Sequence, residues 1–262
     1  MIESPLIEPQ QKPQRCANMI AVASGKGGVG KTWLSVTLSH ALARKDGSVL
    51  LFDGDLGLAN VDIQLGLQPG KDLSGALEGR YDLSEAAARH AEAGFDVIAG
   101  RSGSGGLAGL PAPRLSGLLQ DLAALSADYK RVILDLGAGL EPPVRRLAAL
   151  AQTSLIVATD EPTSLTDAYA FIKLAHKQHP KSDLRIVVNM AGSLAEGERT
   201  YATLLKACES FLKISPPLAG VIRRDPKVKD AIRHQSPILT RHPTCEAAAD
   251  VEKLVQRLAR RP

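Results

Sequence analysis

Gly25-Lys26-Gly27-Gly28-Val29-Gly30-Lys31-Thr32 lies between the apolar run Met19 to Ser24 and a helical pattern carried by Leu34, Leu38 and Leu42. A strand, a glycine-rich turn and a helix in that order are the setting a P-loop requires. Gly25, Gly27, Gly28 and Gly30 let the backbone turn tightly, so that successive amide N–H groups, that of Val29 included, face phosphate oxygens. The helix N-terminus adds partial positive charge. Lys31 is expected to reach the β and γ phosphates and the Thr32 hydroxyl to ligate Mg²⁺, so the implied cofactors are ATP and Mg²⁺.

The acids that such a loop needs follow in the sequence. Asp53-Gly54-Asp55 closes the run Val49 to Asp53, where a parallel strand would present its ligand-binding carboxyl end. Two acids two residues apart place one near the metal and the other near an attacking water. Asp135 ends the run Arg131 to Leu134 and leads into Leu136-Gly137-Ala138-Gly139, the form of a Walker B strand entering a switch II turn. An aspartate there holds Mg²⁺ through water, and Gly137 lets its amide approach the γ-phosphate.

Further runs, Phe95 to Ala99, Leu155 to Thr159, Leu184 to Asn189 and Leu218 to Ile222, lack inward/outward alternation, as expected of strands covered on both faces. Helical patterns separate most of them: Leu115 to Leu125, Val144 to Leu150, Leu165 to His176 and Tyr201 to Leu212. The alternation predicts an α/β fold with a mainly parallel, doubly wound sheet, a P-loop NTPase in one domain over 19–262. Gly66 to Ala93, with only short helical pieces, and Gly100 to Leu110, rich in Gly and Ser, read as surface loops. Residues 1–18, with Pro5, Pro9 and Pro13, read as a disordered tail.

The 262 residues carry a net charge of +4; from Arg223 onward ten Lys/Arg stand against five Asp/Glu, so the basic surface is concentrated there. No apolar stretch is long enough for a membrane span, which with the polar N-terminus suggests a cytoplasmic protein. Cys16, Cys208 and Cys245 have no disulfide or metal spacing. His176 and His179 lack ligand partners, and Trp33 is expected to pack rather than stack on a base. Ala247, Val251, Leu254, Val255 and Leu258, with Lys253, Arg257, Arg260 and Arg261 beside them, make an amphipathic helix over about 244–260. It fits either a membrane-docking face, which would place the chain peripherally on the inner face of the cell membrane, or a core-packed terminal helix.

Lys26 goes beyond the basic P-loop pattern, and with it the string resembles the KGGVGKT box of the deviant Walker A ATPases of the MinD/ParA (SIMIBI) family. The resemblance runs from about Met19 to about Ala248. It implies that Lys26 reaches the nucleotide of a second subunit in an ATP-sandwiched homodimer, that Asp55 orients or activates the attacking water, and that Asp53 lies near the metal and the loop. It also implies that Asn189 reads the adenine edge. Gly220-Val221-Ile222-Arg223 occupies a base-enclosing stretch in which the family usually has proline in place of Arg223.

Asp55 to Ile63, Asp135 to Gly139 and Glu161 to Tyr169 look most like the family's flagellar number regulators (FlhG, also called FleN or YlxH). MinD usually shows GLRN and DSPAG in the first two places, and ParA shows DxDPQ in the first. The implied partners are an FlhF-type GTPase, flagellar switch proteins or a flagellar transcription activator, although the DQAxxLR-like segment of many relatives is not recognisable in residues 1–18. The alternatives are MinD-like division-site selection, ParA-like DNA partitioning, in which the basic C-terminal region would bind DNA, and an ATP-binding scaffold with little turnover.

Overall fold

The computed structural model describes residues 15–55, 59–100 and 110–259. The expectations placed on residues 1–14, on Leu56 to Leu58 of the acidic motif, on the Gly/Ser-rich loop 101–109 and on Arg260 and Arg261 fall outside them. The elements run β1 (Cys16–Ala23), α1 (Lys31–Asp46), β2 (Val49–Gly54), α2 (Val61–Leu65), α3 (Leu73–Leu77), β3 (Ala87–His90), β4 (Phe95–Ile98), α4 (Ala112–Leu125), β5 (Arg131–Leu136), α5 (Pro142–Leu150), β6 (Ala151–Ala158), α6 (Pro162–Gln178), β7 (Asp183–Ala191), α7 (Leu194–Ala207), β8 (Leu218–Arg223), α8 (Pro226–Arg233), α9 (Ile238–Arg241) and α10 (Glu246–Ala259).

The strands form one sheet in the order β3-β4-β2-β5-β1-β6-β7-β8, with every neighbouring pair parallel except β3 and β4. Side chains of a strand alternate between faces, and both faces are buried here. On β1, Met19, Ala21 and Ala23 enter a core layer with α4, α5 and α6, while Ile20 and Val22 enter a second layer with α1 and α10. That two-sided burial explains why the strand sequences read as continuous apolar runs. α1 lies deep in the second layer, buried almost continuously from Lys31 to Leu42.

The central position of β1, between β5 and β6, brings the loop that follows it to the middle of the sheet's carboxyl edge, with β5 adjacent and β2 two strands away. Ligands of open α/β sheets bind at this edge.

Three boundaries depart from the sequence reading. β1 begins at Cys16, inside the stretch assigned to the tail, and Arg15 is tied to the Lys181 carbonyl at 2.8 Å. Gly66 to Ala93 contains α3, a 3₁₀ turn and β3 rather than a plain loop. The helix expected over Tyr201 to Leu212 starts at Leu194, where Ser193 caps it by accepting from the Glu196 amide, and ends at Ala207 in a wider π turn.

The C-terminal stripe has a clear location. Ala247, Val251, Leu254 and Val255 are buried in the second core layer, and Leu258 packs against it. Of the two fits open to this stripe, the structure takes the second: the apolar face of α10 is packed in the core. No helix among the described residues is long and apolar enough to cross a membrane.

Candidate nucleotide site

Ala23 ends β1, and the chain turns at Ser24, whose hydroxyl donates to the Lys26 carbonyl at 2.6 Å. Gly28 and Gly30 adopt φ of +77° and +87°, left-handed values that side chains rarely tolerate. Gly30 is the N-cap residue of α1, so the first free amides of that helix belong to the loop. The Gly139 amide donates to the Ser24 carbonyl at 3.0 Å, fastening the expected switch II turn to the base of the loop.

Asp53 on β2 and Asp135 on β5 are register partners in adjacent strands, and both are almost completely buried. Asp53 accepts from the amides of Asp55 at 3.1 Å and Val61 at 3.3 Å. Asp135 accepts from Ser35 Oγ at 2.9 Å and from the Thr32 hydroxyl. Burial raises both carboxyls from their ordinary range; the charge of Asp135 raises Asp53 further, whereas the hydroxyls of Thr32 and Ser35 pull Asp135 back. Burial lowers the Lys31 ammonium, against the opposing pull of Asp135 and Asp55.

Two buried carboxylates side by side with one desolvated ammonium form an arrangement that added cationic and anionic ligands together would relieve. These groups fit a Mg²⁺-bound phosphate chain, whose cation Thr32, Asp53 and Asp135 would hold and whose phosphates Lys31 would meet. A Cβ on Gly137 would lie 3.4 Å from the Asp55 carboxyl carbon, so the Asp55 carboxyl borders the switch II turn.

The structure therefore brings together Gly25 to Thr32, Asp53, Asp55, Asp135 and Gly137. Asn189 joins them in a way the sequence did not indicate: its Nδ2 donates to the Val29 carbonyl at 2.8 Å, bracing the loop from the end of β7. An amide nitrogen has two hydrogens, so this bond commits one of them. Trp33, on α1, is buried in the second core layer as expected of a packing residue, and no metal-ligating cluster of His, Cys, Asp and Glu occurs among the described residues.

Sequence reasoning missed the surroundings of Lys26. Its ammonium pairs with the Glu161 carboxylate and donates to Thr163 Oγ1 at 2.8 Å, both at the start of α6. Glu161-Pro162, an acid directly before a proline at the first position of a helix, marks a helix start in the sequence, but nothing there marks its contact with Lys26. Sequence reasoning noted Arg223 but missed its partners: Nε and Nη2 bind the two oxygens of buried Asp250 at 2.8 and 2.9 Å, and Nη1 pairs with Glu246. The arginine that stands where proline is usual thus fastens the end of β8 to α10.

Residues 20–238 match the model of the CobQ/CobB/MinD/ParA nucleotide binding domain. The chain is 37% identical over 240 residues to the antiactivator FleN of Pseudomonas aeruginosa, covering 92% of this chain and 85% of that one. It is 36% identical over 219 residues to the flagellum site-determining protein YlxH of Helicobacter pylori, covering 82% of this chain and 73% of that one. Among solved structures, the septum site-determining protein MinD of Pyrococcus horikoshii, complexed with Mg-ADP, superposes with a TM-score of 0.76 over 93% of this chain and 96% of that one, at 22% identity.

Proposed function

Because the chain belongs to the CobQ/CobB/MinD/ParA nucleotide-binding family it is a P-loop ATPase, and we propose that it works as an ATP-switched homodimer that regulates flagellar number or placement. The observation that carries the nucleotide part is the convergence of Lys31, Asp53, Asp55 and Asp135 beneath a loop whose Gly28 and Gly30 take left-handed φ. The flagellar part is supported by the two relatives above, one described as an antiactivator and the other as determining the flagellar site.

Bound MgATP would supply the phosphoanhydride bond whose hydrolysis resets the switch. The amides of Gly25 to Thr32 and the Lys31 ammonium hold the phosphates, and Thr32, Asp53 and Asp135 hold the cation. Asp55 orients a water toward the phosphate chain, and the Gly137 amide senses the terminal phosphate. Asn189 meets the base with the part of its amide that Val29 leaves free. Lys26 crosses to the nucleotide of the second copy, where its charge offsets that developing on the transferred group. The dimer then presents a surface to a flagellar transcription activator, a switch protein or an FlhF-type GTPase.

Deleting the gene and counting flagella per cell tests the cellular role: an altered number or position supports it, and normal flagellation with a nucleoid or plasmid segregation defect refutes it. With purified protein, Lys31→Ala should abolish ATP binding in calorimetry, Asp55→Ala should retain binding and lose turnover, and Lys26→Ala should bind ATP and lose dimerisation. A second reading, DNA partitioning, draws on the exposed Arg224, Lys227, Lys229 and Arg233 at and around α8. DNA binding by the ATP-bound dimer that falls steeply with salt would favour it.

A further inference from the structure

Lys26 Nζ is engaged within its own chain. It pairs with Glu161 and donates to Thr163 Oγ1 at 2.8 Å, so two of its three N–H donors are occupied by the first turn of α6. One turn further on, α6 packs closely against the loop: a Cβ on Gly25 would lie 2.4 Å from the Asp167 carbonyl oxygen. The first turn is also fastened internally. The Thr159 amide donates to Ser164 Oγ at 2.9 Å, and Thr166 Oγ1 donates to the Pro162 carbonyl at 3.0 Å. Glu161 precedes Pro162 as the N-cap residue, at the rim of the nucleotide site. Its carboxyl is held below its ordinary range chiefly by the hydrogen bond and charge of Lys26, and Arg224 from the segment after β8 adds to the effect.

We infer that Glu161 and Thr163 are positioning residues that retain Lys26 on its own protomer and set how readily it transfers to the nucleotide of a second copy. The inference rests on the proposed ATP-bound dimer. One ammonium cannot serve Glu161 and a partner's phosphates at once, so forming the sandwich opens this contact on both protomers. A triphosphate compensates for the loss with the negative charge of its terminal group, and a diphosphate lacks that group. Arg224 remains beside Glu161 when Lys26 departs, so the carboxylate left behind keeps a cationic neighbour. The contact thereby raises the threshold for association and makes association depend on the terminal phosphate.

The test is the monomer–dimer equilibrium of the full chain by sedimentation, with a slowly hydrolysed ATP analogue and separately with ADP. Breaking an exposed ion pair shifts an equilibrium by about 1.5- to 5-fold, and the dimer opens two. Glu161→Gln is therefore expected to lower the dimer dissociation constant by about 2- to 25-fold and to yield measurable dimer with ADP. Thr163→Val should act in the same direction, Glu161→Asp should return toward wild type, and the monomer's affinity for the analogue should stay the same. An unchanged or weaker dimer in Glu161→Gln, alongside a Lys26→Ala variant that has lost dimerisation, overturns the inference and leaves the proposed dimer standing. A wild type that stays monomeric with the analogue, or a Lys26→Ala variant that dimerises normally, overturns the dimer and this inference with it.

Discussion

Gly25 and Gly27 look interchangeable in the loop sequence, yet their neighbours differ. A Cβ at Gly25 would meet the backbone of Asp167 at 2.4 Å, whereas at Gly27 nothing lies closer than the Ala138 Cβ at 3.9 Å. Backbone yields only if α6 moves, so Gly25→Ala should destabilise the protein by about 1–3 kcal/mol, as overpacking does. Gly27→Ala should stay within about 0.5 kcal/mol. Denaturant unfolding of the two variants checks the difference, and equal stabilities would refute the account. At this scale the sequence was informative wherever the chemistry is contiguous. Gly25 to Thr32 is one unbroken string, and Asp53 and Asp135 each end an apolar run, so their sites are readable without coordinates. Glu161 meets Lys26 across 135 positions of chain and Asn189 meets Val29 across 160, separations over which neither periodicity nor spacing carries information.

Among the elements, α10 has the clearest mechanical attachment. Its apolar stripe is buried against the sheet and α1, and Asp250, almost fully buried, receives two guanidinium nitrogens and the backbone amide of Arg223. Removing one partner of a buried pair leaves an uncompensated charge and costs about 3–5 kcal/mol. Asp250→Ala should therefore lower stability by that order and speed amide hydrogen exchange in α10; wild-type exchange rates would show that the pair does not hold the helix. The amphipathic pattern of α10 was legible in the sequence, but the surface it covers was not, because a stripe of Ala, Val and Leu suits a protein core and a lipid interface equally. β3 was missed for a different reason. Ala87-Ala88-Arg89-His90 has no β-branched residue, and its strand state comes from antiparallel pairing with β4 rather than from its own composition. The start of α7 was obscured by Gly192 and Gly197, although Ser193 with Glu196 three residues later has the form of a helix start.

For the molecule as a whole, the nucleotide site lies where the two core layers meet the central strands, so occupancy should be felt throughout the fold. A ligand that binds only the folded state at a hundred times its dissociation constant stabilises it by about 2.7 kcal/mol. For a chain of this size that corresponds to a rise in Tm of about 5–10 °C. MgATP and MgADP should each produce such a rise, chelation of Mg²⁺ should reduce it, and Lys31→Ala should abolish it; an unshifted wild-type melting curve would contradict the site. The fold class itself was readable because a parallel sheet buried on both sides writes uninterrupted apolar runs, whereas the spatial order of the strands is set by crossovers that leave no mark in composition. That order leaves β3 outermost on one side, four residues long and antiparallel, with Arg89 paired to Asp96. Such a rim gives a stray polypeptide few rungs to anneal onto and a charge to displace first. Edge-to-edge annealing of copies along this margin is thereby disfavoured.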